Sequence, residues 1–207
     1  MSCRVICISR SLGAGGEEVG RIVAKELGFR YADEEIIVKA AEKAGVSPDT
    51  VAKIEGTPGL IERILESMAR TPPDPEGWSV SALAASTDRS VYVGLIERVI
   101  RETATEGSVV IVAHAASVPL AGTEGVLRVL VTGSPEPRVK RVAEKGSFGE
   151  APAKKAVSES DHQRKEYLRR FYGVGHELPT HYDLVVNTDV LTLPLAAKLI
   201  ASAAREE

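Results

Sequence analysis

The opening of the chain restricts the fold more than any other segment, because an apolar run leads there into a glycine-rich loop and a helical pattern. Residues 4–9 (RVICIS) form a short, β-branched apolar run, and Gly13-Ala14-Gly15-Gly16 follows it. The next apolar residues have the i, i+3, i+4, i+8 spacing of one helix face: Val19, Ile22, Val23 and Leu27. This order predicts a strand, a loop and a helix, the opening unit of an α/β domain.

A glycine-rich loop in this position is suited to binding an anion. The helix N-terminus presents backbone N–H groups and the positive end of the helix dipole, and glycines let the backbone curl around a phosphate. The sequence nevertheless departs from the pattern G-x-x-x-x-G-K-[ST], because it has no lysine in the loop. A purely structural turn explains the same four residues, and both interpretations stay open.

The rest of the chain alternates between predicted strands and helices. Apolar runs predict further strands at residues 29–32, 109–113, 126–132 and 184–187, and helical periodicity covers 36–44, 88–105 and 193–204. Alternation of this kind predicts a parallel sheet with right-handed crossovers. We therefore expect a three-layer α/β/α fold with five parallel strands, in which the strand at 5–9 is central.

Two segments differ from this alternation. Residues 46–88 contain several proline turns around a short amphipathic pattern, which predicts a helical insertion. Residues 135–176 carry ten Lys and Arg against six Asp and Glu, which predicts either an anion-binding lid or a solvated helix face. We expect the insertion and the 146–153 turn to be more mobile than the sheet. All 207 residues are interpreted as a single domain.

The composition limits the partners and the compartment. The net charge of −3 gives no general attraction to nucleic acid or to anionic membranes. Cys3 and Cys7 would lie roughly 13 Å apart on a strand, too far for a disulfide, and two small buried thiols are typical of a reducing cytoplasm. No signal-peptide pattern and no membrane-spanning run is found, so we expect a cytoplasmic protein.

Four blocks of the chain resemble the cytidylate kinase-like family of P-loop nucleotide-binding proteins. They are ISRSLGAGG, FRYADEEIIVKAA, ESDHQRKEYLRRFYG and YDLVVNTDVL, and the resemblance extends over residues 5–200. It implies ATP-dependent phosphoryl transfer to a nucleoside monophosphate, with CMP as the first candidate acceptor. ATP and Mg²⁺ are the implied cofactors, and nucleotides are the implied partners.

The resemblance also implies roles for the loop residues. Gly13, Ala14 and Gly15 match the second half of the family's loop G-P-S-G-A-G-K-G, Gly16 stands where its lysine would be, and Arg10 stands where its first glycine would be. Arg10 could supply the missing positive charge, since a guanidinium binds phosphate oxygens in a bidentate manner. The alternative is a solvated loop arginine. The implied cofactor-binding set is Arg10, Gly13, Ala14, Gly15, Gly16, Glu17, Arg138, Arg141 and Asn187.

Two further positions match family residues between the loop and the lid. Asp33 and Lys39 fall where monophosphate kinases have an aspartate near substrate or metal and a basic contact for the acceptor phosphate. Asp33 is equally well explained as a helix N-cap. His114 stands where related proteins have a phosphate-binding arginine, and a hydrogen-bonded structural histidine is the alternative.

The lid region supplies the remaining implied site residues. Arg138 and Arg141, three apart on one helix face, match arginines that cover the donor phosphates. Asp161 and Arg164 match a pair that holds the pyrimidine nucleotide, and Asn187 falls in the loop around the adenine. Arg10, Asp33 and Arg141 are the implied catalytic residues; Asp33, Lys39, His114, Asp161 and Arg164 are the implied acceptor contacts.

Two other functions compete with phosphoryl transfer. Gly16 in the place of lysine and His114 in the place of arginine favour a catalytically weak or inactive nucleotide-binding module with a regulatory role. Nucleic-acid binding is the third, although aromatic side chains for base stacking make up only 4% of the chain. The sequence indicates neither the acceptor nor the oligomeric state.

Overall fold

The structure, a computed structural model, describes residues 3–45, 89–112, 115–146 and 149–205. Within them the elements follow in this order: β1 (Val5–Arg10), α1 (Gly16–Leu27), β2 (Arg30–Ala32), α2 (Glu34–Ala44), α3 (Arg89–Glu106), β3 (Val109–Val112), β4 (Val126–Thr132), α4 (Pro135–Gly146), α5 (Glu150–Tyr172), a 3₁₀ turn (Pro179–His181), β5 (Leu184–Asn187) and α6 (Leu193–Arg205). The predicted insertion at 46–88, His114, and residues 147 and 148 of the 146–153 turn lie outside the described residues.

The five strands form one parallel sheet in the order β2-β3-β1-β4-β5. Val5 of the central strand is in register with Val109 of β3 on one side and with Val126 of β4 on the other. The predicted five-stranded parallel sheet with a central first strand is therefore confirmed. Among the boundaries that differ from the prediction, β1 continues through Arg10 instead of ending at Ser9, and α2 begins at Glu34 instead of residue 36.

Helices cover both faces of the sheet, which completes the three layers. The alternate residues Val5 and Cys7 pack with α2 and α3, whereas Ile6 and Ile8 pack with α1 and α6. A strand buried on both faces needs an unbroken apolar run, which explains the sequence VICIS. Burial also raises the pKa of the Cys7 thiol to about 12, so this cysteine is inert at neutral pH.

The order of the strands places the glycine-rich loop at a crevice. From β1 the chain crosses to β2 and β3 on one side of the sheet, and then to β4 and β5 on the other. Ligands of open α/β sheets bind where the order reverses, beyond the carboxyl ends of the strands. Residues 11–15 lie at this edge, since they connect the carboxyl end of β1 to α1. Among the described helices, none combines the length and the hydropathy needed to cross a membrane.

Candidate functional site

Two glycines of the 11–15 loop are required by its backbone and by its neighbours. Gly13 (φ 79°) and Gly15 (φ 81°) both have left-handed conformations, which other residues adopt only with strain. A Cβ atom on Gly13 would lie 2.6 Å from the carbonyl oxygen of Arg138, and one on Gly15 would lie 2.6 Å from Leu193 Cδ2. The loop is therefore closely surrounded by α4 on one side and by the start of α6 on the other.

The carbonyl groups of the loop are held from outside by side chains. Arg138 Nη1 donates to Leu12 O at 3.1 Å, and Arg141 Nη1 donates to Gly13 O, also at 3.1 Å. The carbonyl oxygen of Ala14 accepts a hydrogen bond of 3.0 Å from the Thr188 hydroxyl. In a trans peptide the N–H group points opposite to the carbonyl. The amide N–H groups of residues 13–15 therefore point away from Arg138, Arg141 and Thr188. Among them, the Ala14 N–H donates to Ser11 O and closes the turn.

Thr188 connects this loop to the last strand. Its side chain is 1% exposed, and its hydroxyl accepts a 3.1 Å hydrogen bond from Arg141 Nη1 while Arg141 Nη2 donates to its carbonyl oxygen. Next to it, Asn187 Oδ1 accepts from the amide of Asp189, whose carboxylate accepts from the amide and hydroxyl of Ser134. These hydrogen bonds from Ser134 lower the pKa of Asp189. The predicted cofactor-binding residue Asn187 thus shapes the turn after β5.

Arg10 is a buried strand residue, and the expectation of an exposed loop arginine is wrong. It is 5% exposed, and its side chain lies directly over Gly16. A Cβ atom on Gly16 would come within 2.6 Å of Arg10 Cβ and 3.1 Å of Arg10 Cδ. The absence of a side chain at residue 16 is therefore what makes room for Arg10. The sequence pattern missed this packing because it joins a strand residue to a helix residue across the loop.

The charged end of Arg10 faces the first turn of α1. Its Nε atom lies 2.6 Å from Glu17 Oε1, an ion pair in which the arginine side chain is 4% exposed and the glutamate 27%. The geometry of the pair is not that of a hydrogen bond, and the buried Nε atom of Arg10 has no hydrogen-bond partner. The structure thus places one cation of the predicted site beside the loop and gives it a carboxylate on the neighbouring helix as counter-ion.

Asp33 lies at the end of β2, in the N-cap position of α2. Its side chain makes no capping hydrogen bond, and Asp33 Oδ2 accepts a 3.1 Å hydrogen bond from the Tyr31 hydroxyl. Burial, the largest cause, and the nearby Asp33 carboxylate raise the pKa of Tyr31, and Glu17 raises it further. Asp33 thus contacts the Tyr31 phenol directly, whereas Glu17 acts on it only through its charge. Lys39 lies farther along α2 and is half-buried.

The predicted pair Asp161 and Arg164 points to two different partners. Both oxygens of Asp161 accept from Arg138, at 2.9 and 2.6 Å, and Arg138 is buried. Arg164 instead donates two hydrogen bonds to Glu177, at 2.9 and 2.5 Å. Glu177 also accepts from the Tyr182 hydroxyl. Glu177 was not predicted, because no motif or periodicity marks residues 173–178.

A polar cleft lies between the loop and the C-terminal part of α5. Its volume is about 320 Å³, within the usual range for a small-molecule site. Six polar or charged side chains line it: Ser11, Asp161, Arg164, Lys165, His176 and Glu177. The cleft brings the predicted acceptor residues Asp161 and Arg164 next to the loop.

Comparisons with known proteins identify the family and the fold of the chain. The model of the cytidylate kinase-like family matches residues 5–190, so the chain belongs to this family. A search of curated proteins found no match. The fold is similar to that of an uncharacterized protein from Eubacterium ventriosum (TM-score 0.67, 16% identity, 97% of each chain). It is also similar to shikimate kinase from Acinetobacter baumannii (TM-score 0.50, 15% identity, 97% and 92% covered) and to a gluconokinase from Sinorhizobium meliloti (TM-score 0.50, 15% identity, 97% and 93% covered). At these identities the solved structures show the α/β P-loop kinase fold alone.

Proposed function

We propose that this member of the cytidylate kinase-like family transfers the γ-phosphoryl group of ATP to a nucleoside monophosphate, with CMP as the first candidate. The observation that carries the proposal is the loop, whose carbonyl groups are held by Arg138, Arg141 and Thr188 so that its amides face the other way. Amides fixed in this way at a helix N-terminus bind phosphate without reorganising.

Phosphoryl transfer requires little of the protein beyond positioning and charge stabilisation. The amides of Gly13, Gly15 and Gly16 bind the donor phosphates, and the Arg10 guanidinium provides beside them the positive charge that a loop lysine otherwise gives. Arg138 and Arg141 act indirectly, because each hydrogen bonds to the loop backbone. Arg10, Asp33 and Arg141 remain our catalytic candidates, and Arg141 acts by holding the loop.

The carboxylates beside the loop fit a magnesium ion shared with a nucleotide. Mg²⁺ usually takes one or two protein carboxylates and fills its remaining positions with phosphate oxygens and waters. Glu17 and Asp33 offer such carboxylates near Tyr31, and the described residues contain no cluster of three or more metal-binding side chains that would form a complete protein cage. When bound, Mg²⁺ neutralises charge on the phosphates during transfer.

The acceptor monophosphate is assigned to the 320 Å³ cleft. Lys165, His176 and Arg164 can attract its phosphate, and Asp161 and Glu177 can accept hydrogen bonds from its base or sugar. Arg164 and Asp161 already have internal partners, so an acceptor must share or displace Glu177 and Arg138. The ion pairs that already occupy Arg164 and Asp161 favour the second candidate, a nucleotide-binding module that does not transfer phosphate.

A turnover assay separates the two candidates. ATP is combined with CMP, dCMP, UMP, AMP or GMP, ADP release is measured, and nucleotide binding is followed by calorimetry on the same preparation. Shikimate and gluconate are added as acceptor controls, because the fold is shared with kinases of those compounds. We expect CMP to raise ADP release well above the background of ATP alone. Binding of ATP without acceptor-dependent turnover supports the regulatory module, and no binding at all contradicts both.

A further inference from the structure

Glu17 stands in a position that a phosphate loop normally gives to a metal-binding hydroxyl. In G-x-x-x-x-G-K-[ST], the lysine binds phosphate and the following Ser or Thr contributes its hydroxyl to Mg²⁺. When the second glycine of the pattern is placed on Gly15, Gly16 falls on the lysine and Glu17 on the hydroxyl residue. Two adjacent replacements thus change both the cation and the metal ligand of the loop.

The substitute cation and the substitute metal ligand are paired with each other. Arg10 Nε lies 2.6 Å from Glu17 Oε1, although the Nε–H of Arg10 makes no hydrogen bond. The Arg10 side chain is 4% exposed, so this N–H is also shielded from solvent. A buried donor without an acceptor is costly, and an anionic oxygen in the loop would satisfy it. The arrangement therefore favours an incoming phosphate that reaches Arg10.

The same arrangement also opposes an incoming phosphate, because Glu17 carries a negative charge into the site. Like charges at this range repel strongly where water is partly excluded. A second carboxylate, Asp33, accepts a hydrogen bond from Tyr31, whose pKa is raised by burial and, to a smaller extent, by Asp33 and Glu17. A divalent cation held by Glu17 would offset this repulsion and would weaken the ion pair of Glu17 with Arg10.

We propose that Glu17 exchanges Arg10 for a divalent cation when a nucleoside triphosphate binds. The cation then decides how far Arg10 is available to the phosphates, because a carboxylate whose charge is neutralised by a metal ion holds the guanidinium less strongly. This inference rests on the proposed function, since it requires a triphosphate in the loop. It makes the Mg²⁺ dependence of binding a property of one side chain.

The test measures affinity for the β,γ-imido analogue of ATP by calorimetry, in excess MgCl₂ and in excess EDTA at equal ionic strength. The variant is Glu17→Gln, and Glu18→Gln is the matched control, because it removes the same charge from the next, exposed residue of α1. Glu17→Thr, which restores a hydroxyl metal ligand, and the double variant Arg10→Ala/Glu17→Gln complete the set. Melting curves establish that each variant is folded.

We expect wild type and Glu18→Gln to bind at least about tenfold more weakly in EDTA than in MgCl₂. In EDTA, Glu17→Gln should bind about ten- to a hundredfold more tightly than wild type, the range of one charge-assisted contact. For Glu17→Gln, the ratio of the dissociation constant in EDTA to that in MgCl₂ should fall below about three. The double variant should lose the tighter binding in EDTA. Glu17→Thr should bind the analogue more tightly than wild type in EDTA, to the same extent as Glu17→Gln, and as tightly as wild type in MgCl₂.

A direct measurement of the metal completes the experiment. Free Mn²⁺ is counted by electron paramagnetic resonance in the presence of the analogue, and Glu17→Gln should leave more Mn²⁺ free than wild type or Glu18→Gln. If wild type binds the analogue, but Glu17→Gln and Glu17→Thr have the same ratio of dissociation constants in EDTA and MgCl₂ as wild type, the proposed exchange is wrong. The proposed function is not affected by that result. If wild type binds in neither buffer, the proposed function fails and this inference fails with it.

Discussion

The packing of Arg10 over Gly16 gives a stringent prediction, because a single methyl group must disrupt it. The Cβ atom of Gly16→Ala would lie 2.6 Å from Arg10 Cβ, an atom fixed to the strand backbone that no rotamer change can move. Overpacking of this kind costs about 1–3 kcal/mol, and the better helix propensity of alanine returns up to about 1 kcal/mol. We expect a net loss of about 1–2 kcal/mol, hence a Tm lower by about 2–8 °C for a chain of this size.

The assay is a double-mutant cycle followed by chemical denaturation. Arg10→Gly removes the Cβ atom that Gly16→Ala would meet, so the second change should cost almost nothing once the first is present. Gly94→Ala is the control, since the exposed Gly94 of α3 has no heavy atom within 4 Å of an added Cβ and should be neutral or slightly stabilising. Additive effects of Arg10→Gly and Gly16→Ala, within about 0.5 kcal/mol, would refute the packing argument.

Two ion pairs give further predictions. Arg138→Ala removes a buried guanidinium that hydrogen bonds to Asp161 and to Leu12 O, and should lower the free energy of unfolding, measured in urea, by about 2–4 kcal/mol. The control Arg169→Ala, on an exposed pair with Glu166, should change it by less than about 0.5 kcal/mol. Equal effects of the two substitutions would mean that Arg138 does not stabilise the loop. The hydrogen bonds from Arg128 lower the pKa of Asp183, so this carboxylate stabilises the fold above its unfolded pKa of about 3.9 and loses the contribution as pH falls through the lowered value. In Asp183→Asn, the free energy of unfolding should therefore fall by about 1 kcal/mol less than in wild type when the pH is lowered into the acid range. An unchanged dependence of the free energy of unfolding on pH would contradict this role of Asp183.

The sheet could be predicted from sequence because its signal is local. Strands buried on both faces need continuous apolar runs, and the run at 126–132 gave both ends of β4 correctly. The alternation with helices then determined the parallel arrangement and the central position of β1. The end of β1 was predicted one residue too early, because Arg10 looks like a loop residue until its packing on Gly16 is known.

The partners within the site could not be predicted, because they depend on which elements pack together. Asp161 and Arg164 are three residues apart on α5, and this spacing suggests a shared ligand. Asp161 instead meets Arg138 of α4, and Arg164 meets Glu177 beyond the end of α5. The position of Thr188, directly after a predicted strand at the ligand-binding edge, was the one available signal for a residue that the pattern left out of the site.

The difference between this loop and a lysine-containing one lies in where the charge is anchored. A lysine at residue 16 would belong to the first turn of α1, whereas Arg10 belongs to the central strand and is buried. Because Arg10 is paired with Val131 of β4 and its side chain is buried, it cannot approach or leave the phosphates by moving its backbone. Its counter-ion Glu17 lies on the helix and is 27% exposed, so it has more freedom. If the loop regulates its charge, the regulation must therefore act through Glu17, and the affinity for nucleotide should follow the state of that carboxylate rather than a displacement of Arg10.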